Sequence, residues 1–264
     1  MNAVIRTVLR HEARHLRSNR GVLFFGAGML VVSEMVLRLT GSGSRALITM
    51  LNLVLLLVPL ITITFGVISW HASREFNELL LAQPVRRHAL FAALYLGLVV
   101  PLAAAFAVGV LAPLVIHREI TRALLPLLAA TVGSGVALTF VFGGLALLIG
   151  VRVDDRLRGV AIAIALWLLL TVAYDGVVLL VATTFSDYPL EQPMLGLTLL
   201  NPVDLARTLI VMQSDNAALM GYTGAVMHRF LGSAVGSMLA LTGLSAWILL
   251  PAWAGRRAFA RRDF

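Results

Sequence analysis

The most restrictive feature of this 264-residue sequence is a series of six apolar runs, each long enough to cross a lipid bilayer. About 30 Å of hydrocarbon requires about 20 helical residues. Only helices and closed barrels satisfy their backbone groups in lipid, and these runs are continuous rather than alternating. We therefore predict an all-α integral membrane protein with six transmembrane helices. The expected spans are about 21–39, 46–69, 89–116, 123–150, 159–185 and 231–253.

Composition excludes several classes of function. Hydrophobic residues make up 59% of the chain, above the roughly 45–50% that is typical of soluble domains. All 21 basic residues are arginine. Without lysine the chain has no P-loop to reach nucleotide phosphates and no Schiff-base chemistry. The absence of cysteine excludes thiolate catalysis, disulfides and cysteine-ligated metal sites. We therefore expect that this chain is not an enzyme.

The distribution of arginine predicts the orientation in the membrane. With the amino terminus inside, 15 of the 21 arginines fall in inner segments and 6 in outer segments. The positive-inside rule then predicts a multi-pass protein of the bacterial inner membrane with both termini cytoplasmic. The sequence pI of about 11.3 reflects this topology, so nucleic acid is not an expected partner.

Residues 1–20 precede the first span and place apolar side chains on one helical face and arginines on another. This pattern is typical of an amphipathic helix that lies on the inner membrane surface and contacts lipid. An arginine-rich stretch followed by a full span does not match a cleavable signal peptide. Residues 21–264 then form the transmembrane domain.

A charged insert separates the second and third spans. Residues 75–87 read E-x-x-E-L-L-L-A-Q-P-V-R-R, which predicts a short amphipathic helix that ends near Pro84. This arrangement resembles the coupling helix that ABC-2 type permeases present to their ATPase partners. The N-terminal helix, six spans and coupling helix 74–87 also match that family's layout, so the resemblance implies an ABC-2 type, type V-like permease.

The resemblance implies several partners and one group of contact residues. Two copies of a separate ABC ATPase would bind the inner face, and the chain would form a homodimer, since six spans with one main coupling element correspond to half of an ABC transporter. ATP and Mg would bind the ATPase, and this chain would hold no cofactor. The candidate ATPase-coupling residues are Glu75, Glu78, Leu79, Leu80, Pro84, Arg86 and Arg87, with Asp154 and Asp155 of the second inner loop as a lesser contact.

Two acidic residues lie deep within predicted spans. Asp175 is about 24 Å from the inner face at 1.5 Å per residue, and an ionisable group at that depth is usually paired or functional. A polar lock, with Tyr174 or Asn52 as partner, and a translocation or signalling role are both open for Asp175. Glu34 has Arg38 one helical turn away, so we expect a structural ion pair there.

The segment 186–230 is the one substantial outer segment. Asn201, followed by proline and an acid in the first turn, predicts a helix start. The string from Asn201 to Arg207, with residues 218–225, resembles the ABC-2 permeases that act with a periplasmic protein in maturing the copper sites of nitrous oxide reductase. That resemblance implies a periplasmic copper-maturation protein as partner. The candidate contact residues are Asn201, Asp204, Arg207, Met220 and Tyr222.

Methionine and histidine in or beside this segment suit Cu(I) by their softness. Met212, Met220, Met227 and His228 are not at tight metal spacing, however, and methionine is also a flexible core filler. We therefore predict no metal site.

The function that these resemblances imply is that of a permease subunit that couples ATP hydrolysis by a separate ATPase to periplasmic maturation of the copper site of nitrous oxide reductase. One alternative is an ABC-2 type exporter of a lipid, glycan or drug. An intramembrane enzyme would need convergent catalytic groups, and the two deep acids have no deep histidine or cysteine partner. A membrane scaffold would not need the segment 74–87.

Overall fold

The computed structural model describes residues 20–74, 87–185, 191–213 and 234–261, and every regular element in these ranges is a helix. The predicted N-terminal interfacial helix lies outside the described residues. The elements are α1 (Arg20–Thr40), α2 (Gly43–Ala72), α3 (Arg87–Ile116), α4 (Leu125–Arg152), α5 (Arg156–Leu168), a π-helical segment (Leu169–Ala173), α6 (Tyr174–Thr184), α7 (Glu191–Leu199), α8 (Pro202–Met212) and α9 (Ala234–Arg261).

Six helices are long and apolar enough to cross a membrane, which confirms the predicted all-helical membrane fold. Four of them are α1 to α4. The fifth span is the continuous helix Arg156–Thr184, and the sixth is the part of α9 from Met238 to Arg261.

The last helix continues beyond its expected end at about residue 253. The prediction ended there because arginines follow at Arg256 and Arg257. Phe259 is nevertheless fully buried, with its ring centroid 6.0 Å from that of Trp70 and 5.8 Å from that of Phe91. Burial of this ring keeps α9 helical and attached to the bundle up to Arg261.

Helix α4 is the centre of the bundle and packs against α2, α3, α5, α8 and α9. Small residues let its neighbours approach closely, as is common between helices in lipid. A Cβ atom at Gly150 would stand only 2.6 Å from the Trp70 ring, and one at Gly135 would overlap the Phe106 ring. Phe106 is fully buried at its contact with Gly135, and Phe142 of α4 is also fully buried.

Helices α1 and α9 and the fifth span lie around this centre. Helix α1 packs mainly on α3. The fifth span is the least buried, because α5 buries only Gly159 and Ala163 and α6 buries no residue. Its remaining apolar surface is therefore available to lipid or to another chain.

Contacts between sequence-distant residues define two ends of the bundle. At one end, which we call the arginine-rich end, α1, α3 and α5 begin and α2, α4 and α9 end. At the opposite end, Glu119 accepts a hydrogen bond from the Gly43 backbone N–H at 2.9 Å, so the loop after α3 caps α2. Residues 191–213 follow the fifth span at this opposite end.

Candidate functional site

The fifth span departs from α-helical geometry at Leu169–Ala173, just before Asp175. A π-helical turn inserts one extra residue and disturbs the regular hydrogen bonding of the helix. The backbone oxygen of Leu170 accepts a hydrogen bond from Nδ2 of Asn201 at 2.8 Å. The side chain of a separate helix terminus is therefore bonded to the irregular turn, and such turns occur frequently at functional sites.

Asn201 begins α8 and has a second role at the same time. Its Oδ1 accepts from the Val203 backbone N–H at 2.9 Å, and Pro202 occupies the first helical turn. The helix start predicted at Asn201 is therefore present. Asn201 is fully buried. Its side-chain amide makes one hydrogen bond to α8 and one to the fifth span, so both of its polar atoms have partners without contact with solvent.

Asp175 and Arg207 form a two-pronged ion pair between α6 and α8. The two terminal nitrogens of Arg207 donate to Oδ1 and Oδ2 of Asp175, each at 2.9 Å. One of them also donates to Oδ1 of Asp204 at 3.1 Å. Parallel N–H···O bonds of this kind fix the guanidinium plane against the carboxylate. The side chains of Asp175, Arg207 and Asp204 are 44%, 29% and 13% exposed, so the cluster is partly shielded from solvent but still in contact with it.

The partner of Asp175 is therefore Arg207, which corrects the suggestion of Tyr174 or Asn52. The Tyr174 hydroxyl instead donates to the Leu197 backbone oxygen of α7 at 2.7 Å, and Asn52 is exposed on α2. From the sequence alone, Asp175 is expected to be a deep acidic residue of the fifth span and Arg207 a contact residue for a periplasmic partner. The fold brings them together and adds Tyr174 as a third link to the helices that follow the fifth span.

Asp204 carries a perturbed charge within this cluster. Burial raises the pKa of Asp204 to about 6 from its ordinary value of 3.8, and the negative charge of Asp175 acts in the same direction. The Arg207 guanidinium opposes this shift only in part. With both carboxyl groups ionised, the three side chains carry one net negative charge. Protonation of Asp204 near pH 6 makes the cluster neutral.

Glu34 and Arg38 form the expected pair on α1, with 2.6 Å between Arg38 Nε and Glu34 Oε1. Sequence reasoning missed a third member, because His117 Nε2 lies 3.0 Å from the same oxygen. His117 follows α3, so this cluster ties α1 to α3 at the end opposite the arginine-rich end. Glu34 is therefore held in a structural ion pair, as expected, with His117 as an additional neighbour.

The segment between α2 and α3 is described only at its two ends. Glu75, Glu78, Leu79, Leu80, Pro84 and Arg86 lie outside the described residues. Before the gap, Arg74 stands 3.4 Å from Asp154 of the α4–α5 loop. After the gap, Arg87 donates to the Ala260 backbone oxygen of α9 at 3.1 Å. The two ends are thus attached to different parts of the arginine-rich end.

Asp154 and Asp155 are both exposed at this end, but their surroundings differ. Asp155 accepts a hydrogen bond from the Arg158 backbone N–H at 2.8 Å and so caps α5. Its cap role was missed by the sequence reading, although an acid before a helix is a recognised signal. Asp154 instead contacts Arg74.

The candidate copper ligands are only partly described. Met212 is half-buried at the end of α8, whereas Met220, Tyr222, Met227 and His228 lie outside the described residues. Within the ranges that the structure describes, no group of three or more histidine, aspartate or glutamate side chains is placed to hold a metal ion.

An apolar groove of about 510 Å³ lies between α4, α8 and α9 in the half of the bundle away from the arginine-rich end. Its lining is mostly small or aliphatic, with Ser134, Gln213 and Ser245 as polar members. Gly133 is exposed on its α4 wall. The groove has the size and character to accept a hydrocarbon chain.

Comparison with known proteins identifies a family. Residues 53–264 match the sequence model of a family described as ABC-2 family transporter protein. The match covers most of the chain and includes the charged insert, the fifth span and helices α7 to α9. No curated protein sequence matches the chain.

Proposed function

The chain belongs to the ABC-2 family of transporter proteins, and from that premise we propose that it is the permease subunit of an ABC transporter whose ATPase is a separate chain. The family match carries this proposal. The absence of lysine supports it, because the chain then lacks the P-loop lysine that reaches the nucleotide phosphates.

The arginine-rich end would face the cytoplasm and receive the ATPase. Residues 74–87, which we call the coupling segment, would dock there with Glu75 and Glu78 forming ion pairs and Leu79 and Leu80 filling a groove. The contacts of Arg74 with Asp154 and of Arg87 with Ala260 support this role. A displacement of the segment would be passed to the bundle through both Arg74 and Arg87.

The complete transporter would contain two copies of this chain and two ATPase chains. The fifth span supports this stoichiometry, because its largely unburied apolar surface is available to a second copy. Closed two-fold symmetry is the commonest arrangement for such an assembly.

We further propose that the transporter acts in periplasmic maturation of the copper site of nitrous oxide reductase. Residues 201–207 and 218–225 resemble NosY, the permease of that pathway, and this resemblance supports the assignment. Helices α7 and α8 would then lie on the periplasmic side and contact the copper-maturation protein through partly exposed residues such as Asp204 and Arg207. Asn201, also predicted as a contact, is fully buried and bonded within the chain, so it is not available to a partner. The links from these helices to the fifth span would connect that partner to the membrane domain.

Deletion of the chain in its native host tests this assignment. We expect nitrous oxide reductase to accumulate with reduced copper content and little activity, and a plasmid copy of the chain to restore both. A copy carrying Leu80→Asp is the matched control for coupling. Full copper content and activity in the deletion strain would contradict the copper role while leaving the family assignment intact.

The groove between α4, α8 and α9 supports a second candidate, an exporter of a lipid, glycan or drug with an apolar portion. Its volume and lining suit one hydrocarbon chain. Neighbouring reading frames separate the two candidates at low cost. Genes for nitrous oxide reductase maturation beside this one favour the copper role, and genes for envelope synthesis or drug resistance favour export.

A further inference from the structure

His71 lies in the last turn of α2, three residues before the coupling segment, and the proposed function gives it no role. Its ring is half-buried between two helices rather than directed into solvent. Nδ1 lies 2.8 Å from the Val67 backbone oxygen on α2 itself. Nε2 lies 3.0 Å from the Val153 backbone oxygen in the α4–α5 loop. A neutral imidazole has one N–H and can donate to only one of these two oxygens; with the proton on Nε2 it donates to the Val153 oxygen and ties α2 to the loop.

The α4–α5 loop is short and tied at both sides, so a displacement at Val153 is not absorbed within it. The Val153 N–H donates to the Ile149 oxygen at 2.9 Å and closes the last turn of α4. Two residues later Asp155 caps α5. A shift of the Val153 carbonyl therefore moves the start of the fifth span, the less firmly packed of the two helices.

Gly159 brings the fifth span directly against the same ring. A Cβ atom at Gly159 would stand 3.1 Å from Cε1 of His71 and 3.1 Å from Cγ1 of Val67. The absence of a side chain there allows the first turn of α5 to rest on the imidazole. His71 thus contacts the fifth span through packing as well as through the loop carbonyl.

The far end of the fifth span is linked to α8 by a second set of polar contacts. Asn201 bonds to the Leu170 carbonyl in the π-helical turn, and Arg207 clamps Asp175 beyond it. A movement imposed at Val153 would therefore reach α8 through one continuous helix. For a movement of the coupling segment to reach α8, the segment must also be connected to Val153. His71 makes this connection, because it lies three residues before the segment and its ring contacts the Val153 oxygen.

We propose that His71 is a positioning residue that passes displacement of the coupling segment to the fifth span and from there to α8. This inference rests on the proposed function, because it assumes an ATPase that moves residues 74–87. The ion pair between Arg74 and Asp154 acts beside His71 but is longer, at 3.4 Å, and more exposed. The shielded imidazole contact is therefore the more rigid of the two connections.

The test uses the full chain in membranes with its ATPase and a reporter cysteine at Gln213, an exposed position at the end of α8. This chain has no native cysteine, so maleimide that is attached to this chain reports only this site. The measurement is the change in labelling rate on addition of ATP with vanadate. His71→Leu is expected to reduce that change by about two- to thirtyfold, as for other residues that carry coupling between distant sites.

Three companion variants make the result specific. His71→Gln keeps an amide donor that can reach the Val153 oxygen and should restore part of the response. His88→Leu removes an exposed histidine from the other end of the coupling segment and should leave the response unchanged. Gly159→Ala adds the crowding methyl from the fifth span and should weaken the response even if His71→Leu lowers the abundance of the chain.

Recovery of the ATPase on pull-down is measured for every variant and should stay at the level of the parent chain. A full response in His71→Leu or in Gly159→Ala, or equal loss in His71→Gln and His71→Leu, would overturn the positioning role. Equal loss in His88→Leu would also overturn it, because the effect would not depend on contact with the fifth span. If the parent chain neither retains an ATPase nor responds to ATP, the proposed function itself is wrong and this inference falls with it.

Discussion

The ion pair between Asp175 and Arg207 should contribute measurably to stability, and a double-mutant cycle can isolate that contribution. Asp175→Asn keeps the size of the side chain but replaces one acceptor oxygen with an amide nitrogen, so one of the two 2.9 Å bonds and the charge are lost. Arg207→Gln removes the guanidinium from the other side. The double variant measures what remains when neither charge is present.

The expected magnitude follows from the partial exposure of the pair. A shielded hydrogen bond to a charged group contributes about 1.5–3 kcal/mol, whereas an exposed ion pair contributes about 0–1 kcal/mol. The two side chains are 44% and 29% exposed, so we expect a coupling energy of about 1–2 kcal/mol between these limits. For a chain of this size that corresponds to a decrease in Tm of about 2–8 °C.

Thermal unfolding of the purified chain in detergent, followed by circular dichroism, provides the measurement. Glu34→Gln with Arg38→Gln is the matched control, because Arg38 is 72% exposed and pairs within one helix. Its coupling energy should be clearly smaller. A coupling energy for Asp175 and Arg207 no larger than that of the control would refute the view that this pair holds α8 to the fifth span.

Activity separates a lock from a switch at the same position. If Asp175 only holds α8, Asp175→Asn should leave the output of the complex near normal wherever the chain accumulates normally, and Asp175→Leu should lower abundance. If the charge of Asp175 is used in each cycle, then under the proposed role in copper-site maturation the Asp175→Asn complex should assemble with the ATPase and hydrolyse ATP while nitrous oxide reductase activity falls. Full activity of Asp175→Asn at normal abundance would eliminate the switch.

Three further predictions concern orientation, docking and pH. Cysteine at Ser73 should be protected from a membrane-impermeant maleimide added outside cells, while cysteine at Gln213 should react; the reverse pattern would contradict the predicted topology. Glu78→Arg and Leu80→Asp should each reduce ATPase recovery on pull-down without reducing the amount of inserted chain, since charge reversal or a new charge at an interface costs several kcal/mol; normal recovery with both would remove these residues from the contact. Because burial raises the pKa of Asp204 from 3.8 to about 6, the folded chain binds this proton more tightly than the unfolded chain, and stability should increase by at most about 3 kcal/mol as the pH falls from above 6 toward 4. Asp204→Asn should abolish that dependence, and an unchanged pH profile of Tm in this variant would assign it to another group.

Local patterns in the sequence were sufficient for the helical architecture. A bilayer-length apolar run must form a helix because lipid offers its backbone no other partner, so the spans could be predicted from run length alone. The Glu34–Arg38 pair and the start of α8 at Asn201 could also be predicted from the sequence. Both depend on groups within one helical turn, where geometry is set by the helix itself.

The tertiary structure decided which distant residues meet. Asp175 and Arg207 are 32 positions apart, and they are paired only because α8 folds back against the fifth span. The π-helical turn has no signature in its five apolar or small residues, and the bond from Asn201 to the Leu170 carbonyl appears only once α8 is in place. The extension of α9 to Arg261 likewise depends on a hydrophobic site for Phe259 that Trp70 and Phe91 build from two other helices. Periodicity determines which faces of a helix are apolar, but the identity of the neighbouring helix is set by packing between segments far apart in the chain, and that information is not contained in any local window.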